Sequence, residues 1–210
     1  ARAVACAIEM LNAMPGINVW NVQQRLPTVE MGIGVHSGEV VLGNIGSELR
    51  AKYGIVGSTI NLTSRVESYT VGGQVLISEA TRERCGDLVT VGAAQVVSPK
   101  GVKGTLTIYE ALAVSAPFEV RLESAREELA PPRVPLQLRY ATVKNKQVSP
   151  TTQLAQVEAI SEQGLELRVS EALPVLSDLQ LRVIDGGEPR PGELYGKVLK
   201  AEVRPGVVYL

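Results

Sequence analysis

Apolar residues recur at helical spacing at the start of the chain, at Val4, Ala7, Ile8, Leu11 and Met14. The spacing predicts an amphipathic helix, and Pro15-Gly16 is expected to stop it. Residues 17–27 are polar and irregular. Val29 to Val35 alternates apolar with small or polar residues and predicts a strand. Ser37-Gly38 signals a turn and Glu39 to Leu42 a second strand, together a hairpin. Lys52 to Val56 predicts a short strand broken by Gly57. Ser58 is placed to cap a following helix of about three turns, with Ile60, Leu62, Val66 and Tyr69 at helical spacing. Gly72-Gly73 ends that unit. Gln74 to Ile77 predicts a buried strand, Ser78 caps a helix through Arg84, and Leu88 to Val97 predicts another strand. Lys103 to Leu112 is an extended run that closes the domain.

Mixed strands, helices and hairpins predict an α+β sandwich for residues 1–115. The texture changes beyond Ala113. Residues 116–130 carry many charges and read as helix or linker, and Pro131-Pro132 is a hard boundary. Residues 131–210 then show only short strand patterns, at 134–143, 153–160, 164–169, 178–184 and 193–204. Gly186-Gly187 and Pro189 to Pro191 punctuate the gaps. That pattern predicts a small all-β barrel or sandwich.

Composition narrows the picture only a little. The 210 residues carry a formal net charge of -1, which argues against a general electrostatic grip on nucleic acid or an anionic membrane. Aromatic content is 4%, so the cores must be built from Val, Leu, Ile and Ala. Cys6 and Cys85 read as free thiols on two helices of a cytoplasmic protein. His36 is the only histidine, and no Cys/His spacing suits zinc. No apolar run approaches the ~20 residues of a membrane span. The chain opens at Ala1 inside a helical pattern and without Met, which reads as a piece of a longer protein.

The chemistry concentrates in Tyr53-Gly-Ile-Val-Gly-Ser-Thr-Ile-Asn-Leu-Thr-Ser-Arg-Val-Glu67. Asn61 and Arg65 are four residues apart, hence on one face of the predicted helix and one turn from each other. An amide and a fixed cationic fork at that spacing suit a sugar or phosphate oxygen. On the residues alone, a solvated helix face is the favoured reading. His36 reads as structural, and Gly38, Gly43, Gly46 and Gly57 as serving backbone geometry.

The run from Gly32 to Ser47, with Gly34-Val-His-Ser-Gly38 inside it, and the run from Tyr53 to Glu67 together resemble the class III adenylate/guanylate cyclase catalytic domain. Gly72-Gly73-Gln-Val-Leu-Ile-Ser-Glu79 and the terminal Lys100-Gly101-Val102 to Tyr109-Glu110 follow the same family order, so the resemblance spans residues 1 to 112. It implies a ferredoxin-like α/β sandwich lacking its N-terminal part. It also implies that Asn61 positions the ribose of a purine nucleoside triphosphate and that Arg65 stabilises charge on the phosphoryl group. The implied reaction is attack of the 3′-hydroxyl on the α-phosphate with release of pyrophosphate. Gly54 matches a family position that helps to select the purine; adenylate cyclases commonly carry Asp or Thr there and guanylate cyclases Cys. Gly54 has no side chain to read the base edge and leaves GTP open; by what is common in the family, ATP is the expected substrate and cyclic AMP the product.

The resemblance further implies a Mg or Mn ion and a homodimer whose sites are shared across the interface. The family's metal aspartates lie upstream of the matched segment, and Asp87, Asp178 and Asp185 match none of them. This chain alone is therefore expected to be inactive, with its parent a cyclase. The alternative is a non-catalytic cyclase-like module that dimerises and relays a signal.

Residues 131–210 resemble a PilZ-like barrel, which points to a bacterial signalling protein. Arg133 and the pair Ser161 and Gly164 match parts of the two motifs with which such domains grip cyclic di-GMP. Leu129 and Ala159 stand where a second arginine and an acidic or amide residue belong. The barrel is therefore read as kept for structure or protein contact.

Overall fold

The computed structural model describes all residues except 48, 100–103, 124–127, 145, 163, 205, 206 and 210, and the side chains of 204 and 207–209. The chain divides into two compact units, Ala1–Ser124 and Ala125–Leu210.

Unit 1 opens with helix α1, Arg2–Gln23. Strands β1 (Ile33–Val35), β2 (Val41–Ser47) and β3 (Arg50–Val56) follow, then helix α2 (Ser58–Ser68). Next come β4 (Val75–Ser78), α3 (Glu79–Cys85), β5 (Val89–Val91), β6 (Gln95–Val97), β7 (Leu106–Val114) and β8 (Val120–Arg121). The main sheet runs β1-β4-β7-β5, with β6 and β8 also on β7. β1 lies parallel to β4, Ile33 opposite Val75. β4 runs antiparallel to β7, Ile77 opposite Tyr109. The hairpin β2–β3 forms a separate two-stranded sheet, with Gly43 opposite Gly54.

The alternating faces of β1 organise the layers. Ile33 and Val35 pack with Val4, Ile8 and Leu11 of α1 and with Val75 and Ile77 of β4 in one apolar core. Gly34 points the other way, where α2 lies: a Cβ there would stand 2.4 Å from the Glu67 amide nitrogen. Helices thus cover both faces of β1, and α2, anchored by the fully buried Val66, rests directly on the strand. On α3, Arg82 bonds Glu79 at 3.0 Å and lies 5.0 Å from the ring centroid of Tyr109, whose hydroxyl also donates to Glu79. These contacts tie α3 to β7.

Several sequence expectations need correction. Pro15 does not stop α1, which continues to Gln23. Proline costs one helical hydrogen bond there, but the second half of the helix is held from outside. The Asn18 carboxamide clasps Val29, donating to its carbonyl at 3.0 Å and accepting its amide at 2.9 Å. The expected hairpin is displaced: β1 pairs with β4, and the hairpin lies between β2 and β3. A glycine-rich strand such as Val41–Ser47 carries too little alternation to be read from pattern. Gly57, not Ser58, caps α2, at φ 145°, a conformation that favours glycine. The strand expected over 88–97 is two short strands, and both pair with β7. The cap of α3 stands as expected, Ser78 Oγ accepting the Thr81 amide at 3.3 Å. The motif residues Lys100, Gly101 and Val102, and Lys103 at the start of the expected last run, lie outside the described residues. Both cysteines are free thiols, Cys6 exposed and Cys85 buried.

Unit 2 is all β. Its strands are β9 (Gln137–Lys144), β10 (Gln147–Val148), β11 (Gln153–Ile160), β12 (Leu165–Val169), β13 (Asp178–Asp185), β14 (Glu188–Pro189), β15 (Leu194–Lys197), β16 (Glu202–Arg204) and β17 (Val207–Tyr209). The sheet order is β14-β13-β9-β11-β12-β17-β16, with β10 on β9 and β15 on β13. Leu138, Tyr140, Ala155, Val157, Leu167, Leu179 and Leu181 alternate onto one face and form its core. Among the described residues the ladder does not close, so the expected barrel is an open sheet. Its outer strands β14 and β16 are only two and three residues long, too short to seal a ring.

Candidate functional site

Helix α2 is the element on which the candidate residues stand. Its Val66 is fully buried. Asn61 and Arg65 are both exposed and, one turn apart, share a helix face. Among the described residues neither side chain makes a hydrogen bond or an ion pair. A donor–acceptor amide and a guanidinium fork are thus both free to meet a ligand.

Two contacts fix where this face stands. The first is the close approach at Gly34, where any side chain would strike the backbone of α2. The second is at the helix start. Thr59 Oγ1 donates to the Glu39 carbonyl at 2.6 Å, and Thr63 Oγ1 donates to the Thr59 carbonyl at 2.9 Å. Gly38 lies against Thr59, and a Cβ there would stand 2.7 Å from Thr59 Oγ1. Sequence reading credited Gly38 with backbone geometry and overlooked Gly34. The signal for Gly34 was its position between two apolar strand residues, which marks a close backbone approach.

Gly54 lies on β3, on the separate hairpin, and is half-buried. A Cβ there would meet only Ile45 Cδ1, at 3.8 Å. Its glycine is therefore not demanded by packing, and the position has room for a side chain. His36 follows β1 and bonds Ser78 with its Nδ1 at 2.7 Å. Burial, and then the positive charge of Arg84, hold its pKa below the usual histidine value.

The described residues offer no donor set that fits a divalent metal. Among the described residues no group of three His, Cys, Asp or Glu side chains converges, and Asp87 is the only aspartate of unit 1. In unit 2, Arg133 is exposed. Ser161 and Gly164 close the β11–β12 turn on each other: the Ser161 amide donates to the Gly164 carbonyl at 2.9 Å, and the Gly164 amide donates to Ser161 Oγ at 3.1 Å. No described helix is long and apolar enough to cross a membrane.

A family model described as the adenylate and guanylate cyclase catalytic domain matches residues 1–110. The chain is 31% identical over 115 residues to adenylate cyclase 1 of Rhizobium meliloti (strain 1021), a match covering 54% of this chain and 17% of that protein. It is 31% identical over 117 residues to an adenylate cyclase of Anabaena cylindrica, covering 51% of this chain and 23% of the relative. It thus spans less than a quarter of the length of either relative. Among solved structures, the guanylyl cyclase Cya2 aligns with 49% sequence identity and a TM-score of 0.55, over 58% of this chain and 62% of the Cya2 chain.

Proposed function

Because the chain belongs to the adenylate and guanylate cyclase catalytic-domain family, we propose that it contributes the ribose- and phosphate-handling side of a purine nucleotide cyclase site. The observation that carries this reading is the exposed pair Asn61 and Arg65, one turn apart on a helix seated directly on β1. Asn61 would orient the ribose so that its 3′-oxygen faces the α-phosphorus. Arg65 would neutralise charge as that oxygen bonds to phosphorus and pyrophosphate departs. Orientation and fixed charge are the main levers available for phosphoryl chemistry.

A Mg or Mn ion would have to be held by carboxylates other than those described here, and no step is derived through it. On this reading the chain alone does not turn over nucleotide, and the parent protein acts as a homodimer with sites shared between two copies. The apolar hairpin β2–β3 supports the dimer. Val41, Leu42, Tyr53, Ile55 and Val56 are all exposed there, and an isolated two-stranded hairpin is marginal in water.

ATP is the substrate that the adenylate cyclase relatives favour. A second reading, GTP, is favoured by the 49% identity with a guanylyl cyclase; Gly54 has no side chain and favours neither purine. For unit 2 we favour a structural or protein-contact role over cyclic di-GMP binding, since Ser161 and Gly164 bond each other.

The test is Arg65→Ala in the parent protein, assayed with ATP and with GTP. Loss of one preorganised charge is expected to lower turnover by about 10²–10³-fold. Unchanged turnover would remove Arg65 from the mechanism and leave the non-catalytic relay as the better reading.

A further inference from the structure

A chain of hydrogen bonds runs from His36 toward the first turn of α2. His36 Nδ1 lies 2.7 Å from Ser78 Oγ. Ser78 and Thr81 are almost wholly buried, at 1% and 2% exposure, and their hydroxyl oxygens lie 3.2 Å apart. Thr81 Oγ1 is 3.3 Å from the Val35 carbonyl and 3.1 Å from Ser37 Oγ. Three consecutive residues, Val35 to Ser37, are thus tied to one buried pair of hydroxyls at the start of α3. Immediately beyond them, Gly38 and the Glu39 carbonyl meet Thr59 in the first turn of α2. Thr59 stands two residues before Asn61.

We infer that His36 is a positioning residue: through Ser78 and Thr81 it anchors the 36–39 loop on which the first turn of α2 is set, and so fixes where Asn61 and Arg65 stand. The inference rests on the reading that these two residues hold the nucleotide. Proton bookkeeping supports it. The Val35 carbonyl can only accept, so the single Thr81 hydroxyl proton goes there and Ser37 donates to Thr81. Ser78 Oγ accepts the Thr81 amide, and its own proton goes to Thr81 Oγ1, so Ser78 accepts from a neutral His36 ring protonated on Nδ1. Every contact of the chain then carries a proton. A fully satisfied buried network rigidifies the groups it joins.

Amide hydrogen exchange on the whole chain separates positioning from general stability. His36→Ala is expected to speed exchange at least tenfold in residues 36–39 and from Ile60 to Arg65, while amides of β4 and β7 change less than twofold. His36→Asn, whose carboxamide NH2 can donate to Ser78 from the Nδ1 position, is expected to restore slow exchange. As His36 is the only histidine, its ring nitrogen shifts can be read without overlap, and they are expected to show a protonated Nδ1 and an unprotonated Nε2. Unchanged exchange in α2, equal acceleration throughout unit 1, failure of His36→Asn to rescue, or the opposite tautomer would each overturn the assignment. None of these readouts needs nucleotide. Failure of the catalytic reading would appear separately, as normal turnover in Arg65→Ala with α2 exchange still governed by His36.

Discussion

Strand β4 reads Val75-Leu-Ile-Ser78, and strand β2 opens Val41-Leu42. Their apolar residues are of the same kind. Every residue of β4 is buried, whereas β2 and its partner β3 are exposed along nearly their whole length. β4 lies between β1 and β7 with α1 and α2 covering its faces. Among the described residues the two hairpin strands pair only with each other. Apolar composition therefore does not decide burial. Position in the sheet does, and the hairpin is left with apolar surface that a further chain could cover.

The comparison can be broken or sharpened by substitution. Its largest effect is expected in the buried strand. Ile77→Ala should cost about 2–5 kcal/mol, because the cavity lies in a core closed on both sides. Denaturant unfolding checks it, and a cost near that of a surface site would mean that the α1–β4 core is looser than its burial indicates.

Gly34→Ala comes next. The added methyl would meet the backbone of α2, and overpacking of this kind costs about 1–3 kcal/mol. A thermal melt should show the loss, whereas Gly54→Ala, with only Ile45 nearby at 3.8 Å, should stay within about 0.5 kcal/mol of the parent chain. Equal effects at the two glycines would mean that α2 does not rest on β1.

A smaller effect on stability, but a telling one on assembly, is expected in the hairpin. Ile55→Glu should change unfolding free energy by no more than about 0.5–1 kcal/mol, since the residue is exposed. Self-association measured by sedimentation should fall sharply. Destabilisation as large as that of Ile77→Ala would place the hairpin inside the core of the single chain.

The smallest effect follows from His36. Its folded pKa is lowered, so the unfolded chain binds the proton more tightly. The stability tied to this group is complete above the unfolded value of 6.5 and is lost as pH falls from there through the lower folded pKa. Unit 1 should thus melt at a lower temperature at pH 5 than at pH 7.5, and His36→Asn should flatten that part of the difference.

Much of the molecule is legible in local pattern. The apolar stripe of α1, the buried β4, the cap at Ser78 and the pairing of Asn61 with Arg65 follow from spacing and residue type alone. Strands β9, β11, β12 and β13 fall within a few residues of where alternation and Pro/Gly breaks put them, whereas the run expected over 193–204 is two strands, β15 and β16, on different partners, and β10, β14 and β17 were not expected. What pattern could not supply was long-range. The partner of β1 stands some forty residues away at β4, and nothing local to Ile33–Val35 names it. The continuation of α1 past Pro15 depends on Asn18 clasping Val29, a contact that no helical periodicity encodes.

The sequence by itself singled out the residues that matter: an amide and a guanidinium one turn apart on a helix as candidates for chemistry, and a lone histidine as structural. Only the tertiary structure decided where they stand. It set α2 on Gly34, tied the His36 loop to buried hydroxyls from another strand, and left one hairpin exposed while burying another strand of like composition. The reason is physical. Residue type and spacing act over a turn of chain, whereas burial and hydrogen-bond satisfaction are properties of segments that meet only when the sheet has formed.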